Sequence, residues 1–297
     1  MNMVRRMLIV VLAVLASSWL GAQTDVLVEA LRKYQAADLA AARTLVDSAV
    51  RTPVHAENPE AWLLRGFIYK DLYKSTVDVP QADLFRDEAL ASLYTCIGSD
   101  TVGTYKENAL QAYEFLTRTF FNDAAKALSE MNEDRALVVF PKYKEAALRI
   151  DPTVDLKGRT IEFTNALGTV YTKRFNQDRT VGTWFDKAVA AYKEVMALDP
   201  ENYGANYNLA TLYYNRGVYN IQRIDADDEI PSILQIQEAS REFFQQALPF
   251  MLKAHDMNPT RRETLLGLEG IYYSLQDQEN SDKFRQLFEE IPPEDGR

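Results

Sequence analysis

Few residues in this chain could do covalent or metal chemistry. Its 297 residues hold one cysteine, Cys96, and two histidines, His55 and His255. A thiolate beside an imidazole is the simplest nucleophile and base pair. Neither histidine, however, has a partner at metal-ligand spacing such as H-E-x-x-H. His55 stands next to Pro53 in a loop-like stretch. His255 lies near the end of an apolar-periodic run, where a protonated imidazole would suit the negative end of a helix dipole. Asp225, Asp227, Asp228 and Glu229 form an acidic knot, but the glycine and terminal glutamate of an EF-hand loop are missing, so it reads as a solvated loop. With 43 Asp plus Glu, a carboxylate pair at glycosidase separation could arise in space without any signature along the chain. No phosphate-cradling glycine loop occurs. The expectation is a non-enzymatic protein with no catalytic residue, no metal ligand and no cofactor.

Composition narrows the class further. Apolar residues make up 47% and charged residues 26%, as in globular proteins. The net charge of −10 lacks the basic stripe that nucleic acid or an anionic membrane surface requires. A lone Cys cannot form an internal disulfide or a multi-Cys zinc site. Arg5 and Arg6 precede an uninterrupted apolar run from Met7 to Ala16, then Ser17, Ser18, Gly21 and Ala22. That order matches the charged, apolar and small-residue regions of a secretory signal. The run is shorter than the roughly 20 residues of a membrane span. We therefore expect residues 1–22 to be a signal peptide, cleaved near Ala22, and the mature chain to be periplasmic or secreted, with no remaining membrane span.

Candidate residues need elements to position them, and the periodicity is helical. Trp184, Ala188, Ala191, Tyr192, Val195 and Leu198 recur at three- and four-residue steps, as do Asn206, Leu209, Ala210 and Tyr213. Sustained two-residue alternation is absent. Helices are expected near 25–36, 38–51, 59–73, 82–97, 104–130, 134–149, 159–177, 183–197, 202–218, 232–256, 261–275 and 280–290. Thr183 followed by Asp186 suggests a capping box, and Gly217 a helix end. Amphipathic helices in pairs cannot bury their apolar faces alone, so the pairs must stack.

The pairs repeat a pattern. Trp62, Gly66 and Tyr69 recur as Gly168 with Tyr171 and as Ala210 with Tyr213; Leu268 to Tyr272 is a weaker copy. On the second helices, Ala188, Tyr192, Val195 and Pro200 match Ala247, Met251, Ala254 and Pro259 in spacing. Ala147 to Pro152 ends a repeat in the same way. The chain thus resembles the tetratricopeptide-repeat (TPR) family. The resemblance implies an all-α fold, an α-solenoid of about six TPR-like helical hairpins forming a right-handed superhelix. It would be a single domain over 23–297, strongest in 59–98 and 159–275. The family pattern would make Gly66, Gly168 and Ala210 points of close helix approach and would place Tyr69, Tyr171 and Tyr213 between hairpins. Cys96 falls in the small-residue slot that Ala147 and Ala254 fill, which implies packing rather than reactivity. The repeats run longer than the standard 34 residues, with the excess expected in loops at 74–81 and 219–231 and in longer helices.

Mapped through the repeat, the concave face carries Phe67, Lys70, Asn165, Thr169, Lys173, Tyr207, Thr211, Tyr214, Asn215, Leu266 and Tyr273. Tyr suits interfaces because it joins apolar area to a polar tip at small entropic cost. Chaperone-binding members of the family grip a C-terminal carboxylate with Lys and Asn at fixed sites; here only Asn208 matches, so no such clamp is expected. The expected function is a protein–protein interaction scaffold of the cell envelope, with a partner's peptide or helical segment in the concave groove. A carbohydrate-binding module is the alternative reading, and a carboxylate hydrolase a third.

Overall fold

Acceptors immediately before apolar-periodic runs set most of the helix starts. Side chains of Asp25, Asp38, Asn58, Asp78, Asn132, Asn202 and Asp277 each accept a backbone N–H of the following first turn, at 2.8 to 3.2 Å. The computed structural model describes residues 25–292, and the expected signal at 1–22 lies outside them. Among the described residues there are twelve helices and no strand: α1 (Val26–Gln35), α2 (Leu39–Ala49), α3 (Pro59–Ser75), α4 (Val79–Ser99), α5 (Lys106–Ser129), α6 (Glu133–Ile150), α7 (Lys157–Gln177), α8 (Gly182–Leu198), α9 (Tyr203–Ile221), α10 (Ile230–Met257), α11 (Arg262–Ser274) and α12 (Gln278–Glu290).

Three connections share one construction. Ala37, Met131 and Gln276 take left-handed φ values of 61°, 60° and 63° directly after α1, α5 and α11. In each case the next residue, Asp38, Asn132 or Asp277, caps the following helix. Backbone N–H groups of these turns reach back to carbonyls of the last helical turn, such as Asp38 N to Lys33 O. Pro152, Pro200 and Pro259 lie just past the ends of α6, α8 and α10, where a ring without an N–H stops the helix.

Several boundaries depart from the sequence reading. The Thr183–Asp186 capping box does not form: α8 begins at Gly182, after Val181, without a side-chain cap. Gly217 ends nothing. It lies inside α9, where a Cβ would meet the Phe244 ring at 2.5 Å, so it is a point of close approach. The loops expected at 74–81 and 219–231 shrink to 76–78 and 222–229 because the flanking helices extend, with Pro80 and Pro231 accommodated in first turns.

The chain packs as two compact units, Met1–Arg118 and Thr119–Arg297, with the division inside α5. In the first unit, α1 pairs with α2 and α3 with α4, and α3 also packs on α2. Gly66 lets α4 approach so closely that a Cβ there would be 2.6 Å from Leu93. Hydroxyls tie one hairpin to the next: Tyr69 donates to Asp47 at 2.7 Å and Tyr34 to Asp71 at 2.8 Å. Burying such donors is tolerated because each finds an acceptor.

In the second unit the pairs are α7 with α8, α9 with α10 and α11 with α12. Gly168 receives the Tyr192 ring and Gly267 the Met251 side chain. Aromatic rings fill the spaces between pairs. Phe140 of α6 stacks on Phe163 of α7 at 3.9 Å, and Phe185 of α8 meets Tyr213 of α9 at 5.7 Å. Arg174 bonds both Glu133 and the Met131 carbonyl, fastening α7 to the start of α6. The fold is therefore all-α and built of tandem TPR-like hairpins, as the repeat pattern implied.

Candidate binding surface

In the second unit the first helices of successive hairpins, α7, α9 and α11, lie side by side. Their outward residues come from the turns between buried positions. On α7, Thr169 and Lys173 are exposed between buried Leu167, Val170 and Tyr171. On α11, Leu266 and Tyr273 are 53% and 65% exposed, although both are large and apolar. On α9, Tyr207, Thr211, Tyr214 and Asn215 are half-buried.

Tyr207 is held in place. Its ring stacks on Tyr203 at 5.9 Å and an interplanar angle of 8°. The Tyr203 hydroxyl in turn shares a 2.7 Å hydrogen bond with Thr264, which is fully buried at the start of α11. Burial pushes the Tyr207 phenol pKa up against the opposing hydrogen bond with Thr211. A neutral, oriented tyrosine can present apolar area at little entropic cost, and Leu266 and Tyr273 on α11 add exposed apolar area to the same unit.

Other expected positions are engaged internally. Asn165 donates to Asn202 at 3.1 Å, bracing the residue that caps α9. Tyr214 tilts against Phe244 and its hydroxyl sits over Gly270. In the first unit Phe67 is only 4% exposed, so it is a core residue and offers a partner no surface. Lys70 lays its ammonium 4.2 Å from the Phe67 ring, and burial lowers its pKa.

The residues with chemical potential are placed as packing groups. Cys96 is fully buried, and burial pushes its thiol pKa up to about 12. The His55 Nε2 lies 2.9 Å from the Asp25 carboxylate in a buried setting. His255 packs edge-on against Phe284. Asp225 and Asp228 are turned on their own loop, with Asp228 accepting from the Asp225 amide. No group of three His, Cys, Asp or Glu among the described residues could hold a metal ion.

The structure adds a cleft that the sequence reading missed, about 380 Å³, between α2, α3 and α4. Arg65 forms its floor, donating to Asp47, Ser92 and Glu88 at 2.8, 2.6 and 2.8 Å, with its guanidinium 4.4 Å from the Tyr69 ring. The Trp62 indole donates to the Ala56 carbonyl. These polar groups satisfy one another, so the floor serves cohesion between hairpins. Its members come from three helices and have no common spacing, so no motif announces them.

No protein-family model and no curated protein matches the chain. Solved structures with a similar course of the chain include two monomeric mutants of IFIT1, one with m7Gppp-AAAA and one with Gppp-AAAA. They align over 89% and 90% of this chain at 15% and 14% identity, with TM-scores of 0.41 and 0.40. This chain covers 59% of each IFIT1 chain. PilW, a widely conserved type IV pilus biogenesis factor, aligns over 99% of this chain and 97% of its own, at 16% identity and a TM-score of 0.33.

Proposed function

We propose that this chain is a TPR-type protein-interaction scaffold without enzymatic activity, working in the cell envelope. It would hold a peptide or helical segment of a protein partner on the first-helix face of the second unit. The observation that carries this reading is the fixed aromatic set on that face. Tyr207 is immobilised by Tyr203 and Thr264, with exposed Leu266 and Tyr273 on the neighbouring helix. Pre-ordered aromatic anchors dominate binding energy because little rotamer freedom remains to be lost. The charge of −10 favours a partner segment carrying Lys or Arg around its apolar contacts. The envelope location rests on the charged, apolar and small-residue order of residues 5–22. No helix among the described residues is long and apolar enough to cross a membrane.

The test is in-cell photocrosslinking from Tyr273, with the exposed α8 residue Glu194 as control. One protein captured from Tyr273, absent from Glu194 and lost on Tyr207→Ala, is the expected outcome. Equal capture from both positions, or none, overturns the reading.

A further inference from the structure

Three arginines gather on one ring in this acidic chain. The guanidinium carbons of Arg179, Arg216 and Arg223 lie 5.3, 5.9 and 5.7 Å from the centroid of Tyr219. Arg216 also sits 5.5 Å from the Phe175 ring and 5.9 Å from that of Phe185. It donates to the Arg179 carbonyl at 3.0 Å, which fixes its head but uses one of its five N–H groups. None of the three is ion-paired among the described residues, although the chain has 43 carboxylate side chains. Of the carboxylates nearest in sequence, three bond within their own turns and not to these arginines. Asp178 accepts from both the amide and the hydroxyl of Thr180, Asp225 accepts from the Asp227 amide, and Asp228 from that of Asp225.

Three like charges gathered around one ring favour an anionic partner. The cluster lies at the C-terminal ends of α7 and α9, which together supply about one negative charge through their dipoles. A carboxylate would bring one negative charge to the three guanidinium groups; a phosphate monoester, at about −1.5 to −2, would bring up to two. Guanidinium forks match phosphate oxygens bidentately, and a neighbouring phenol can donate as well. The turn carrying Arg179 leads directly into α8, whose first N–H groups have no side-chain cap.

We propose that Arg179, Arg216 and Arg223, assembled on Tyr219, form a binding site for a phosphoryl group. Either a soluble phosphate ester or a phospholipid headgroup could supply it. The site takes residues from α9, from the loop that follows it and from the turn between α7 and α8, apart from the surface proposed above for a protein partner, and does not depend on that reading.

The test is calorimetric titration of the chain, in phosphate-free buffer of low salt, with inorganic pyrophosphate. A second arm measures sedimentation with phosphatidylcholine vesicles containing phosphatidic acid. The expected result is saturable binding in at least one arm. Pyrophosphate binding identifies a soluble ester as a competent source, and binding to vesicles alone a headgroup. Arg179→Ala and Arg223→Ala should each weaken it about 10-fold, since each removes a charge-assisted contact. Lys193→Ala, an exposed cation of α8, should leave it unchanged. Arg216 is spared because its stem packs among aromatic rings. Both variants should keep the helical circular dichroism of the parent, so lost binding is not lost fold. Binding in neither arm overturns the proposal. Binding that survives both Arg variants, or falls equally with Lys193→Ala, overturns it as well. So does binding of an oligoglutamate peptide when neither phosphate probe binds.

Discussion

The Tyr214 hydroxyl on α9 occupies the space where a side chain on Gly270 of α11 would begin: a Cβ there would lie 2.8 Å from that oxygen. A tyrosine chosen from the repeat pattern as a partner anchor thus spends its polar tip on the seam between two hairpins. Gly270→Ala should destabilise the fold, and Tyr214→Phe should relieve the clash. Urea unfolding of both single variants and the double variant should give a coupling of about 0.5–2 kcal/mol. Additive effects would show that the two residues do not touch in solution.

Helical glycines separate by what faces them. At Gly168 a Cβ would meet the buried Tyr192 ring at 2.7 Å, whereas exposed Gly98 of α4 has nothing within 4 Å. Gly168→Ala should cost about 1–3 kcal/mol through overpacking. Gly98→Ala should gain up to about 1 kcal/mol from helix propensity. Thermal midpoints moving in opposite directions would confirm the contrast.

Asp100 organises the turn before α5. Its carboxylate accepts the amides of Gly103, Thr104, Tyr105 and Lys106 at 2.9, 3.3, 2.6 and 2.8 Å. Burial by itself would raise its pKa, but the four amides outweigh it and hold the group below the ordinary 3.8. A depressed native pKa gives stability that is present above the ordinary value and lost as pH falls through the native one. Asp100→Asn should therefore cost about 1–2 kcal/mol at pH 7. The gap between variant and parent should narrow below about pH 4. A gap of equal size at pH 7 and pH 3 would contradict this account.

Cys96 should be inert while the chain is folded. With burial holding its thiol near pKa 12, iodoacetamide at pH 8 should label it only after denaturant is added. Cys96→Ala should cost no more than about 1–2 kcal/mol, because alanine fills the equivalent slot at Ala254. Rapid native labelling would mean that α4 opens readily.

Arg65 should matter more than any carboxylate it holds. Its side chain is 12% exposed and bridges α2 to α4 through Asp47, Ser92 and Glu88. Arg65→Ala should cost about 1–3 kcal/mol, since it removes three hydrogen bonds between helices and the packing of the guanidinium on Tyr69. Arg65→Lys should recover part of that, because one ammonium cannot span the same fork. Glu88→Ala, at the exposed rim, should cost under about 1 kcal/mol. Equal losses for Arg65→Ala and Glu88→Ala would refute this ranking.

Local chemistry made much of the molecule readable from its residues. The 3.6-residue apolar period placed all the helices described, since that period is set by the helix itself. Prolines at 152, 200 and 259 act within a turn of their own position. Gly66 and Gly168 were legible as approach points, and Cys96 as a packing residue, because hairpin packing repeats along the chain. Where the local signal was weak it misled. Thr183 and Asp186 look like a capping box, but α8 starts one residue earlier.

Only the tertiary structure decided what each surface residue faces. Phe67 and Tyr214 occupy positions that the repeat pattern turns toward a partner. Phe67 is buried, and Tyr214 is pinned against Phe244 and Gly270. Arg216 and Tyr219 on α9 and Arg223 just past its end are three and four residues apart and could be grouped from spacing alone, but Arg179 joins them from the preceding hairpin through the fold. The same holds for Arg65 and its three acceptors. A helix's period is encoded within a few residues, whereas a site assembled across helices depends on their docking, which no local spacing records.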